Sequence, residues 1–156
     1  MLNKKGITIL EVLLTITIAS LITAIGFSSF YQWRNSVSLI NQVDELKSKI
    51  VEVRQMAISA AGETGWGIHF EDTQYIIFSG DSYNQNNPNN QSVLLKNAII
   101  NNPSTSLSNG NGAYSQDLIF TKYSGETVNI GTLSIRSDNN ADIIKSFSIN
   151  NLGNVN

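Results

Sequence analysis

The side chains able to do chemistry in this chain are few and widely spaced. There is a single histidine, His69, and no cysteine. Thiol catalysis, disulfide frameworks, Cys/His zinc sites and a histidine-based triad therefore all lack parts. His69 lies in an alternating stretch that places it on the polar face of a strand. The run Asp138-Asn139-Asn140-Ala141-Asp142 puts oxygen donors at the first, third and fifth places of a calcium loop through Asp138, Asn140 and Asp142. Ile143 stands where such a loop needs Gly, and Ile149 where it needs a bidentate Glu. An EF-hand is thereby excluded, leaving an irregular calcium site to be weighed against an ordinary turn. Gly110 and Gly112 sit in an Asn/Ser stretch without the Lys-Ser/Thr that a phosphate cradle requires. No cofactor is implied and no catalytic residue stands out. The one anomalous group is Glu11, the sole charge in residues 7–30, ITILEVLLTITIASLITAIGFSSF.

As a helix that segment would rise about 36 Å, enough to cross a bilayer once. Lys4 and Lys5 precede it and only Arg34 follows closely, which orients the N-terminus to the cytoplasm and the rest of the chain outside. A secretory signal peptide ending near Ala24 and Gly26 is one reading, although the apolar run is long for one and carries a charge. An uncleaved anchor is a second, and it gives no reason for Glu11. The third takes Lys4-Lys5-Gly6 and Ile7-Thr8-Ile9-Leu10-Glu11 as one motif.

On those residues the chain resembles the type IV prepilin and pseudopilin family, whose members carry a short basic leader ending in Gly and a Glu at the fifth mature position. The resemblance implies cleavage after Gly6 by a prepilin peptidase, N-methylation of Ile7, and assembly with other pilin or pseudopilin subunits on an inner-membrane platform. Ile7 departs mildly from the Phe that often begins the mature chain. Physical reasoning gives Glu11 a matching role. An unpaired carboxylate at bilayer depth costs about 2.5 kcal/mol or more. Pairing with a neighbouring subunit's Ile7 amine would relieve that cost and reward one axial stagger between packed helices; the plain alternative is a carboxylate near the interface that is simply hydrated or protonated.

Beyond the apolar segment, Leu39, Val43, Leu46, Ile50, Val53, Ala57 and Ala60 recur in steps of four and three, one helical stripe meant for the chain's own sheet. A helix from about Ile7 to Ala60, weakest near Gly26, ends at Ala61-Gly62. Trp66, Ile68 and Phe70 then alternate with polar or small residues, and Tyr75 to Phe78 returns, predicting a hairpin. Further strands are expected at 92–96, 117–122, 127–130, 132–136 and 143–149, with turns at Ser124-Gly125 and Leu152-Gly153. Twenty residues are Asn, and their concentration between Asn84 and Asn111 reads as a solvated loop.

The expected architecture is α+β: leader 1–6, apolar helix half 7–30, amphipathic helix half 31–61, and a small antiparallel sheet domain over 62–156. Val53-Arg54-Gln55-Met56-Ala57, Gly65-Trp66-Gly67-Ile68-His69-Phe70 and the C-terminal Ser148 to Val155 look like minor pseudopilins of the GspH/FimT type. That resemblance implies a non-enzymatic subunit of a type II secretion pseudopilus or type IV pilus. It would be stored in the cytoplasmic membrane among lipids and then moved into an extracytoplasmic filament. Alternatives are a membrane-anchored binding domain that is never cut, and a DNA-capturing minor pilin using Lys122, Arg136 and Lys145. Ten Lys/Arg against twelve Asp/Glu supply no basic field for nucleic acid.

Overall fold

A computed structural model describes residues 6–59 and 64–156, without the side chains at 25, 28 and 29. Lys4, Lys5, the last stripe position Ala60 and the expected helix stop at Ala61-Gly62 lie outside the described residues. The chain divides into two compact units, 1–35 and 36–156.

The first element is α1 (Ile9–Ile58). It begins two residues later than expected because Thr8 caps it: Glu11 N–H donates to the Thr8 hydroxyl at 3.3 Å and to the Thr8 carbonyl at 3.1 Å. Thr8-Ile9-Leu10-Glu11 is thus the Thr-x-x-Glu spacing of a capping box, with a carboxylate in the first turn where the helix dipole favours it.

In the second unit the predicted stripe is the buried face of the helix. Leu39, Val43, Leu46, Ile50, Val53 and Ala57 are all at most 5% exposed. The core they enter is shared by two antiparallel sheets rather than the one small sheet expected. The first has the order β3-β2-β1-β7, from β1 (Trp66–Phe70), β2 (Gln74–Ser79), β3 (Gln91–Leu94) and β7 (Asp117–Phe120). The predicted hairpin is present as β1–β2, with Ile68 opposite Ile77.

The second sheet is built on β8 (Ile130–Ser137), which β9 (Ile144–Ile149) follows along one edge. Its other edge is shared in succession by β5 (Leu107–Ser108) and β4 (Ala98–Asn101), and β6 (Tyr114–Ser115) extends β5. One turn of helix, α2 (Pro103–Ser106), connects β4 to β5. Residues 127–130 do not form the separate strand expected. Only Ile130 is extended into β8, while Thr127 and Asn129 are buried, with the Asn129 N–H donating to the Thr127 hydroxyl. Ile68, Phe70, Leu118 and Phe120 from one sheet, and Ile100, Leu133, Ile135, Phe147 and Ile149 from the other, fill a single core with the helix stripe.

Candidate functional site

In the first unit the site residues are in the open. Gly6, Ile7 and Glu11 are exposed, and Ile9 and Leu10 are 81% and 74% exposed. Large apolar side chains continue on every side of the helix through Val12, Leu13, Leu14, Ile16, Ile18, Leu21 and Ile22. The intervening hydroxyls do not break this surface. Thr15, Thr17, Ser20 and Thr23 each donate to a carbonyl three or four residues earlier, at 2.7 to 2.8 Å, so their polarity is satisfied within the helix. A helix apolar on all sides is stable when surrounded by lipid or by other helices. Among the described residues no helix is long and apolar enough to cross a membrane. The span expected over 7–30 therefore rests on the sequence alone.

The second unit holds a polar cluster that sequence reading did not assemble. The β1–β7 register sets His69 opposite Asp117, and the imidazole Nδ1 lies 2.5 Å from an Asp117 carboxylate oxygen. Its Nε2 is 3.9 Å from Glu71, whose other oxygen accepts from the Gln74 amide at 2.6 Å. Tyr83 stacks on the imidazole with centroids 4.0 Å apart and planes 10° apart, and also meets Phe78. The Tyr83 phenol is pushed above its ordinary value by burial, with Glu71 and Asp117 adding to it. His69 is therefore on the polar face, as expected, and is an anchor for the segment after β2. The pairing depends on β7 lying beside β1, a neighbour 48 residues away that no local pattern announces.

Asp138, Asn140 and Asp142 lie in the β8–β9 turn, where the Asn140 side-chain carbonyl accepts from the Asp142 N–H at 3.0 Å. That is an Asx turn. No group of three His, Cys, Asp or Glu residues is placed to hold a metal among the described residues. The three basic residues considered for DNA are dispersed. Arg136 is opposite Ile144 and Lys145 opposite the buried Ile135, so the two point to opposite faces of their sheet. Lys122 follows a strand of the other sheet.

No family model and no curated protein matches the chain. A solved structure does: the type IV minor pilin FimU of Pseudomonas aeruginosa strain PAO1, 17% identical, covering 76% of this chain and 90% of that one, with a TM-score of 0.55. The fold is that of a type IV pilin. The helix stripe on antiparallel sheets is the pilin arrangement, and its capped start brings Gly6, Ile7 and Glu11 together at one end of α1.

Proposed function

We propose that the chain is a structural, non-enzymatic subunit of a pilin-like filament, a minor pilin or pseudopilin. A prepilin peptidase cuts it between Gly6 and Ile7, and the new N-terminus is methylated. The helix waits in the cytoplasmic membrane with the second unit outside. It then passes into a filament core where neighbouring helices replace lipid and Glu11 pairs with an adjacent Ile7 amine. The observation that carries this reading is the first-unit part of α1, apolar on every side with its one carboxylate in the first turn, on a pilin fold. The fold likeness to a minor pilin favours a minor over a major subunit. A GspH/FimT-type place in a secretion pseudopilus is the finer form of the same proposal.

Intact-mass analysis of membrane-extracted protein, made with and without a prepilin peptidase, tests it. Loss of residues 1–6 plus one methyl group, only when the peptidase is present, is the expected result. An unchanged mass in both preparations would sink the processing step and favour an uncut anchor. A Glu11→Ala chain that is cut normally but enters filaments at a small fraction of the normal level is the expected outcome for the pairing step.

A further inference from the structure

The apolar surface of the first unit ends in a change of side-chain chemistry. Phe27, Phe30, Tyr31 and Trp33 are 56% to 68% exposed, and Phe30 and Trp33 meet with ring centroids 5.9 Å apart. Arg34 follows, exposed, as the first charge after Glu11. Rings with an apolar body and a polar tip, such as Tyr and Trp, settle at the headgroup level of a bilayer, and a guanidinium just beyond them meets lipid phosphate. The distance fits as well. Glu11 to Tyr31 is twenty residues, about 30 Å of helix, which is the thickness of a hydrocarbon core.

We propose that Phe27, Phe30, Tyr31, Trp33 and Arg34 form a collar that binds the outer headgroup plane of a phospholipid bilayer and sets the depth of the helix. The inference rests on the membrane-stored reading above and adds the axial position. With the collar at one interface, Glu11 falls at the opposite one, beside the phosphates and water rather than in the hydrocarbon. Its charge is then tolerated during storage. It comes to need a protein partner only when the helix leaves the bilayer, so the same residue is inexpensive to keep in lipid and selective in a filament.

Full-length protein in phosphatidylcholine/phosphatidylglycerol vesicles, with bromine placed either shallow or deep on the acyl chains, reads this directly. Trp33 is followed as the difference in quenching between the wild type and Trp33→Phe, which leaves Trp66 untouched. A mid-helix marker comes from the difference between Trp33→Phe and the same chain carrying Leu21→Trp. The collar predicts at least twofold stronger quenching of Trp33 by shallow than by deep bromine, and the reverse for the tryptophan at 21. A deep-quenched marker at 21 with Trp33 unquenched, or quenched more by deep bromine, would overturn the collar while leaving the helix in the bilayer. Quenching of neither would remove the membrane-stored reading, and the collar with it.

Discussion

Two aromatic sites, one buried and one half-buried, make separate demands on single residues. The Tyr75 ring is 1% exposed and its hydroxyl has no hydrogen-bond partner among the described residues. Burial, with Glu45 and Glu52 adding, pushes the phenol up to about 12 from 10.0. Because the folded value is raised, the neutral phenol is favoured in the folded state. The stability it confers is fully present below pH 10 and lost as pH rises toward 12. Two units correspond to on the order of 2 to 3 kcal/mol. Tyr75→Phe has no such group, so denaturant melts at pH 9 and pH 12 should show the wild type losing about that much more than the variant. His69 is the second case. Removing it in His69→Ala leaves the part-buried Asp117 carboxylate without its partner and Tyr83 without the ring it stacks on. We expect a loss of about 1 to 3 kcal/mol in denaturant melts. Faster proteolysis of residues 80–90 should accompany that loss. His69→Ala melting like the wild type would mean that the cluster contributes nothing.

At the scale of elements, the end of α1 is held by two turns. Arg54 Nε donates to the Gly125 carbonyl at 3.1 Å, and the Tyr123 N–H donates to the Ala57 carbonyl at 3.0 Å. Gly125 and Gly153 have φ of 67° and 74°. A Cβ on Gly153 would come within 2.6 Å of the Gly125 carbonyl and 2.9 Å of the Arg54 side chain. Gly153→Ala therefore pays both backbone strain and a clash, and should lower stability by about 1 to 3 kcal/mol in a thermal or urea melt. A substitution at Gly110, where φ is 77° but open space surrounds the Cβ position, meets the backbone strain alone and should cost less. These turns were visible in the sequence as Ser-Gly and Leu-Gly steps, as was the helix stripe, since both are local signals of residue type and spacing. Thr8 was equally legible, as the Thr-x-x-Glu of a helix start. The strands β4, β5 and β6 were not legible. Each has two to four residues, set among Asn and Ser, too short to show a period, and each is fixed by its pairing in the second sheet. The same blindness hid the Asp117–His69 pair, which exists only through strand order.

For the whole molecule, the core contains no residue before Leu39 among the described residues. The second unit should therefore keep its fold alone: a chain of residues 36–156 is expected to remain soluble and to melt cooperatively, with the same response to Leu46→Ala as the full chain in detergent. That substitution empties a position that is 0% exposed and should cost about 2 to 5 kcal/mol. Loss of cooperative melting on removing 1–35 would show that the helix half contributes to the fold of the rest. The strand β9 has a consequence of another kind. It and the bridge from Ile149 to Val155 are the last parts of the second sheet to be reached along the chain, yet Phe147 and Ile149 face the stripe that begins at Leu39. A ribosome therefore exposes the sticky side of the helix well before it releases the strand that covers it. Throughout that interval the second unit is unable to close. A stop codon at Ile143 should give an insoluble or rapidly degraded product, and any factor that shields nascent chains would have its greatest effect while the helix stripe has been made and β9 has not.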